Sequence, residues 1–425
     1  MGLLRVLLAL SVILAHLGGI GGYSLAGGLA AVQVFFIISG FYMETVLREK
    51  YDPRADLGVF YASRALRIYS VYFTCLAISV VVYAALFLNG GGLFAYIADN
   101  AARMGSAAKA WLAFVTLGIF GQDMVLFQKL GEGHFLFNPD GNFGADPGNA
   151  LAWKFMAIPQ AWTISLELMF YALVPFLTRL STRGLVVLVC ASLTLRGGVY
   201  ATGYDGDPWI YRFFPFELAL FVYGMLARRF YDAHIGALSE RTRSTIGWGF
   251  IAATCLVQTV ADALGVPRTL AVWPYYASAL IALPCLFSMN TRAATVGQRA
   301  PVVSPGQRID ARLAELSCPV YLIHWIVIVA YGAAAPALMP QSWVAALQIP
   351  VCVLGALAAG WAIAVCVERP VDRFRHALMQ RAPAKRSAIT PRRPVEVFGA
   401  PLRPAQAVAR VAGIPAELHP APSAE

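Results

Sequence analysis

The first apolar stretch of the chain carries two residues suited to anion binding and acid–base chemistry, Arg5 and His16. Between Val6 and Met43 the sequence contains no Asp, Glu, Lys or Arg. In a helix, the positions from Arg5 to His16 advance by ~16 Å and return to nearly the same face. Lipid tolerates an ionisable group only where it faces the protein interior or a water-filled cavity. We therefore predict that His16 is a buried base, one membrane leaflet away from the cation of Arg5.

A second pair of arginines lies at the start of the third apolar run. Arg64 and Arg67 are three positions apart, so a helix places both guanidinium groups on one face. A planar guanidinium group can donate two parallel hydrogen bonds to a phosphate, which favours a phosphate-binding site. Arginines at the end of a membrane helix are also typical topology determinants and headgroup contacts. The sequence leaves both interpretations open.

Further candidates lie inside apolar runs. Glu167 lies about one helical turn into the run that begins at Trp162, so its carboxylate needs a structural or a catalytic partner there. Trp162 itself also fits an interfacial anchor. Ser39 and Gly40 form a small pair among aromatic residues, which is equally typical of close helix packing. His324 lies in the middle of a run, where a histidine is either a hydrogen-bonded core residue or a functional one.

The composition excludes an ordinary soluble domain. Apolar residues make up 59% of the chain and charged residues 13%, whereas soluble domains carry about 25% charged residues. We therefore expect an all-α polytopic membrane protein in a lipid bilayer. The net charge of +10 would suggest nucleic acid binding in a soluble chain. Here the basic residues cluster at the ends of apolar runs, as topology requires, so we expect no nucleic acid partner.

The seven cysteines fall within or at the ends of apolar runs and form no Cys-x-x-Cys pair. This pattern predicts neither a disulfide framework nor a zinc site. We expect the cysteines to be buried packing residues and the protein to need no metal.

About ten runs are long enough to cross a membrane, at ~20 residues each. A further segment near 108–128 has only residues 110–122 free of charge, which suits a re-entrant or interfacial segment better than a span. The ten runs lie near residues 3–22, 29–47, 68–88, 161–178, 184–202, 210–228, 246–264, 270–289, 314–335 and 343–366.

The distribution of arginines orients these spans. If the segment 108–128 does not cross, every Arg-rich connection lies on one side, which the positive-inside rule assigns to the cytoplasm. Both termini are then cytoplasmic, and residues 89–160 form one extracytoplasmic excursion from the inner (plasma) membrane. We expect residues 1–378 to form the membrane-embedded domain. Residues 379–425, rich in Pro, Ala and Arg, are predicted to be a disordered cytoplasmic tail.

Six short motifs, taken in order, resemble the acyltransferase-3 family of integral-membrane O-acyltransferases. The resemblance covers roughly residues 1–378, and no single motif carries it alone. The motifs are Arg5 with His16, Phe35-Phe36-x-x-Ser39-Gly40-Phe41, Arg64-x-x-Arg67-Ile68, Trp162-Thr163-x-x-x-Glu167, Tyr321-Leu322-x-His324 and Glu368-Arg369-Pro370.

The resemblance implies transfer of an acyl group, usually acetyl from cytoplasmic acetyl-CoA. The implied acceptor is a hydroxyl of a glycan, an exopolysaccharide or a lipid-linked saccharide. We expect Arg5, Arg64 and Arg67 to hold the phosphates of acyl-CoA at the cytoplasmic mouth. The thioester would then reach a catalytic His16 that deprotonates the acceptor hydroxyl.

Glu167 is expected to orient the His16 imidazole, provided that the fold brings the two into contact. Ser39, Trp162 and His324 are further site candidates. An acyl-histidine intermediate remains open as a variant of the mechanism.

The main alternative is a proton-coupled transporter or flippase for a lipid-linked sugar or anion, in which His16 and Glu167 relay protons. The sequence shows no inverted repeat in its support. A scaffold without catalysis gives no reason for the alignment of Arg5 with His16. The sequence leaves open the acceptor, the acyl group and the oligomeric state.

Overall fold

The structure is a computed structural model that describes residues 1–49, 51, 56–88, 92–139, 150–290 and 305–381. These residues belong to one compact unit, Met1–Ala382. The last described helix continues to Arg381, slightly past the predicted domain end at 378. The remainder of the predicted tail, from residue 382, lies outside the described residues.

Helices dominate the described chain. In lipid the backbone N–H and C=O groups of an apolar run have no water to bond, and a helix satisfies them within the run itself. The helices are α1 Gly2–His16, α2 Gly28–Glu49, α3 Leu57–Leu88, α4 Gly92–Arg103, α5 Ser106–Gly118, α6 Gln122–Val125, α7 Trp162–Leu177, α8 Thr182–Ala201, α9 Trp209–Arg212, α10 Phe214–His234, α11 Glu240–Ala263, α12 Arg268–Asn290, α13 Pro305–Leu338, α14 Gln341–Ile363 and α15 Arg369–Arg381. Short 3-10 turns occupy Ala152–Phe155, Pro159–Ala161 and Ile235–Ala237, and a π-helical turn, Ala364–Glu368, joins α14 to α15.

The predicted class, an all-α polytopic membrane protein, is confirmed. Among the described residues, nine segments are long and apolar enough to cross a membrane, and α1 is a shorter apolar helix. Several helix ends differ from the predicted span boundaries, and two of these differences bear on the candidate site residues. Helix α1 ends at His16 rather than near residue 22, because Gly18 and Gly19 adopt positive φ angles of 79° and 76°. Helix α3 starts at Leu57 rather than 68, so Arg64 and Arg67 lie within it.

The first and ninth predicted spans, α1 and α13, lie side by side and run parallel. A Cβ atom on Gly2 would lie 1.8 Å from the Asp310 carbonyl oxygen, and at the other end the His16 and His324 rings meet. Two parallel spans begin on the same side of a membrane, so an even number of crossings separates their starts. Eight of the predicted spans, ending with α12, precede α13, which agrees with a non-crossing segment near 108–128.

That segment contains a helix of 13 residues, α5, which is shorter than the ~20 residues needed to span. A three-stranded antiparallel sheet follows, with order β2-β1-β3 and Lys129 of β1 opposite both Leu136 and Leu151. Its strands are β1 Gln128–Gly131, β2 His134–Phe137 and β3 Ala150–Leu151.

Asp123, which limits the uncharged part of the segment near 108–128, is buried rather than at a water boundary. The Ser165 hydroxyl donates to its Oδ1 at 2.7 Å. Burial raises the pKa of this carboxyl to about 6. Asp123 therefore ties the segment to α7, the helix that carries Glu167.

Helices α2 and α10 pack at backbone distance. A Cβ atom on Gly40 would lie 1.8 Å from the Phe221 carbonyl oxygen, and one on Gly224 would lie 1.9 Å from that of Ile37. Gly40 therefore serves close helix packing, one of the two interpretations that its sequence context leaves open. The adjacent Ser39 points to a different neighbour, described below.

Candidate active site

A cavity of about 390 Å³ lies among α1, α2, α3, α7 and α13, near the ends of the helices that carry the predicted cytoplasmic arginines. We call it the arginine cavity. It is lined by five of the residues singled out from the sequence, namely Arg5, Ser39, Arg64, Arg67 and Glu167. Residues far apart in the chain thus share one cavity.

The guanidinium groups of the arginine cavity are incompletely paired. Arg64 is only 8% exposed, and among the described residues its Nε, like that of Arg5, has no hydrogen-bond partner. Arg67 Nη2 lies 3.6 Å from Glu368 Oε1, a separation wider than a direct hydrogen bond. Burying cationic donors without partners costs free energy, so the cavity is electrostatically prepared for an anion.

Glu167 is held by two hydroxyl groups in the arginine cavity. Ser39 Oγ donates to Glu167 Oε1 at 2.8 Å, and the Tyr171 hydroxyl, one helical turn further along α7, donates to the same oxygen. The expected contact between Glu167 and His16 is therefore wrong. The contact with Tyr171 follows from the helical period, which points Glu167 and Tyr171 to one side of α7, whereas Ser39 reaches Glu167 from α2.

A second cavity, of about 220 Å³, lies at the opposite end of α1 and is lined by His16. We call it the aromatic cavity, because its other lining residues include Trp153, Trp162, Tyr211 and Trp325. The Tyr211 and Trp162 rings lie nearly perpendicular to each other, with ring centroids 5.3 Å apart. Trp162 is therefore a wall of this cavity, in addition to its position at the start of α7.

Arg212 is the guanidinium group of the aromatic cavity. Its Cζ atom lies 4.8 Å from the Trp162 ring centroid, and its Nη2 donates to Asp207 Oδ2 at 2.8 Å. Stacking and ion pairing hold this cation in a fixed position. The sequence alone gave no reason to single it out.

His16 is not buried in mid-helix as predicted. It is the last residue of α1 and is exposed, because the glycines that follow end the helix at this point. Its Nδ1 lies 2.9 Å from Nε2 of His324, which is 0% exposed in the core of α13. The partner of His16 is thus a second histidine.

The hydrogen-bond network assigns the tautomers of this pair when both rings are neutral. His324 Nδ1 lies 2.6 Å from the Tyr321 carbonyl oxygen, which can only accept, so Nδ1 carries the proton. His324 Nε2 is then an acceptor, and His16 Nδ1 must donate to it. This leaves His16 Nε2 with a free lone pair, which is what a general base or a nucleophile requires.

The two cavities adjoin along the same helices. Tyr321 and Val32 line both of them, and the Tyr321 hydroxyl donates to the Gln160 carbonyl oxygen at 3.3 Å. From Arg5 to His16 the helix rises by ~16 Å. A long ligand anchored by the arginines would pass Tyr321 and Val32 to reach His16.

The comparison with known families identifies the chain. The acyltransferase-3 family model, described as an acyltransferase domain, matches residues 1–365. The chain belongs to the acyltransferase-3 family. The resemblance drawn from the six motifs is therefore confirmed, and a transporter is not favoured.

This acyltransferase-3 chain is also similar to an individual protein. Nodulation protein 10 from Rhizobium leguminosarum bv. viciae is 26% identical over 210 residues, which cover 45% of this chain and 48% of that protein. The chain thus spans about half the length of the curated relative that it matches. No solved structure matches.

Two lining residues of the arginine cavity were not predicted as site residues. Arg375 was treated only as part of a basic, topology-determining segment, and Glu368 was named only within the Glu368-Arg369-Pro370 motif. The available signal was their spacing of seven positions, which places both on one helix face. Among the described residues, no group of three or more His, Cys, Asp or Glu side chains is arranged to hold a metal ion.

Proposed function

We propose that this protein is an integral-membrane O-acyltransferase that uses acetyl-CoA as donor. The acceptor is a hydroxyl of a glycan, an exopolysaccharide or a lipid-linked saccharide. The observation that carries the proposal is the end-to-end arrangement of an arginine cavity and a cavity with an imidazole base, which share Tyr321 and Val32 as lining residues. This arrangement separates donor binding from acceptor binding along one membrane helix.

The donor binds first at the arginine cavity. Arg5, Arg64 and Arg67 hold its phosphates. Among the described residues, Arg5 and Arg64 each have an unpaired Nε, Arg67 has only a long contact with Glu368, and such donors in a partly desolvated cavity bind phosphate oxygens strongly. The pantetheine arm then extends past Tyr321 toward His16. Glu167 has a positioning role in this scheme, since its carboxylate can accept hydrogen bonds from the amide N–H groups of the arm.

The transfer takes place at His16. Its Nε2 accepts the proton of the acceptor hydroxyl while the hydroxyl oxygen attacks the thioester carbonyl carbon. The C–S bond breaks, and the leaving CoA thiolate takes up the proton from His16. In the acyl-histidine variant, Nε2 itself attacks the carbonyl carbon and expels the CoA thiolate. The acceptor oxygen then attacks the acyl group, Nε2 leaves, and the acceptor proton passes to the thiolate.

The acceptor occupies the aromatic cavity. Flat aromatic side chains stack on the apolar faces of sugar rings, and the Trp153, Trp162 and Trp325 side chains offer such surfaces beside His16. Polar groups of Gln160 and Arg212 are placed to orient hydroxyl groups. These features support a saccharide over an apolar alcohol.

The orientation follows from the donor. Acetyl-CoA is cytoplasmic, so the arginine cavity opens to the cytoplasm and the aromatic cavity to the outside of the inner (plasma) membrane. Both termini are then cytoplasmic, in agreement with the parallel course of α1 and α13. The proposal therefore gives the protein three partners: the acyl-CoA donor, the lipid bilayer and a hydroxylated acceptor.

Purified protein in lipid vesicles tests the proposal. Radiolabelled acetyl-CoA is supplied at the arginine face, with a mixture of saccharides at the other face, and the label is followed into the saccharide fraction. We expect acetyl ester formation and release of free CoA thiol. Passage of unmodified saccharide without thiol release would instead support the transporter and contradict the proposal.

A further inference from the structure

Helix α15 contributes a fourth arginine to the arginine cavity. Arg375 is 7% exposed and lines the cavity together with Arg64 and Arg67. It lies beyond residue 365, where the match to the family model ends. The Arg5 and Arg64-x-x-Arg67 motifs do not include it.

The pairing of Arg375 leaves donors unused. Its Nη2 lies 3.1 Å from Asp372 Oδ1, but among the described residues its Nε and Nη1 have no hydrogen-bond partner. Arg67 and Arg64 are close enough for their charges to repel it. Burial of these unpaired donors costs free energy that no contact in the described part of the protein offsets. An anion bound in the cavity would accept hydrogen bonds from them.

The local backbone directs Arg375 into the cavity. The π-helical turn Ala364–Glu368 precedes α15, and such turns are frequent at functional sites. It places Glu368, which is 3% exposed and beside Arg67, seven positions before Arg375 on the same face. Arg375 thus reaches the mouth of the cavity from a helix separate from α3.

We propose that Arg375 binds the 3′-phosphate on the ribose of CoA, while Arg5, Arg64 and Arg67 bind its diphosphate. This assignment rests on the proposed function. Adjacent phosphates fit two arginines three positions apart on one helix, as Arg64 and Arg67 are. The ribose phosphate is a separate dianion, and it fits a cation on a different helix with two donors available.

Binding of CoA and of dephospho-CoA, which lacks only the 3′-phosphate, tests the assignment. Dissociation constants are measured for the full-length protein and for the variants Arg375→Gln, Arg375→Lys and Arg373→Gln. Arg373 is the matched control, because it lies on the same helix but is exposed. Folding of each variant is checked by its melting temperature.

We expect the unaltered protein and Arg373→Gln to bind CoA about 10- to 100-fold more tightly than dephospho-CoA. Arg375→Gln should lose this preference while its affinity for dephospho-CoA stays unchanged. Arg375→Lys should keep part of the preference, because it retains a positive charge.

Two results would overturn the assignment alone. One is an undiminished preference for CoA in Arg375→Gln, and the other is an equal loss of affinity for both ligands. Absence of binding of either ligand to the unaltered protein would overturn the proposed function, and this assignment with it.

Discussion

His16 Nδ1 and His324 Nε2 lie 2.9 Å apart, although 308 positions separate the two residues in the chain. The contact exists because α1 and α13 run parallel, so that the end of α1 at His16 lies beside His324 of α13 at the aromatic cavity. His324 is anchored in turn by the Tyr321 carbonyl oxygen. The pair therefore fixes both the tautomer and the direction of the His16 lone pair.

The first prediction concerns His324 as a positioning residue. His324→Phe should lower kcat by about 10²-fold, because His16 loses the acceptor that holds its tautomer. The KM for acetyl-CoA should stay unchanged, since the donor is bound at the other cavity. Steady-state kinetics over a range of pH checks this. A higher KM with normal kcat would assign His324 to donor binding instead.

The second prediction concerns the donor site. Arg64→Ala and Arg67→Ala should each weaken acetyl-CoA binding by about 1.5–3 kcal/mol, the loss expected for a charge-assisted hydrogen bond. Arg241→Ala is the control, because Arg241 is exposed at the start of α11. Equilibrium binding measures the effect. Unchanged affinity in the double variant would return both arginines to a role in topology alone.

The third prediction concerns the passage between the cavities. Val32→Phe places a larger side chain where the two cavities adjoin, so it should obstruct the pantetheine arm and lower transfer by about 10²-fold. The affinity of Val32→Phe for CoA without an acetyl group should fall far less, because its phosphates bind at the arginine cavity. Val32→Ala serves as the control for altered packing. Normal turnover in Val32→Phe would exclude this route.

The fourth prediction concerns topology. A cysteine at His134, which is exposed on β2, should react with an impermeant thiol reagent in intact cells, and one at Glu240 should not. Reaction of the cysteine at position 240, together with protection of the one at position 134, would show that the orientation is the reverse of the predicted one. The sequence also suggests cysteines at Asn138 and Asn142 of the predicted outer excursion and at Ala55 of the Arg-rich connection after α2. Asn138 is less suitable because it is only 9% exposed, and positions 55 and 142 lie outside the described residues.

The parent for this labelling must lack native cysteines. The expectation that all seven are buried is wrong, because Cys190 and Cys366 are exposed on their helices. Both lie in apolar segments, so their exposed sides are those that lipid would cover.

The grouping of Arg5, Arg64 and Arg67 in the arginine cavity was predicted from sequence, whereas Glu167 was expected beside His16. The helical period puts Arg64 and Arg67 on one face. A carboxylate such as that of Glu167 needs a polar or charged partner inside a membrane. Both patterns involve residues within a turn or two of one helix, where the helix itself fixes the geometry. They identify the residues but do not place Glu167 in one cavity with the arginines.

The pairing of His16 was not predictable in the same way. Whether His324 or Glu167 lies beside it depends on how α1 packs on α13 and α7, which no local pattern encodes. The end of α1 was missed because the apolar character continues past Gly18, while the backbone turns there. Arg375 was missed because its spacing from Glu368 has meaning only once α15 folds back on α3.

The most direct test of the account is acetyl transfer by His16→Ala, measured together with acetyl-CoA binding in the same preparation. We expect transfer to fall by about 10²- to 10⁴-fold, the usual contribution of a general base. Acetyl-CoA binding should be unchanged, because the arginine cavity is intact. Near-normal transfer, or loss of binding in parallel with activity, would contradict the role assigned to His16.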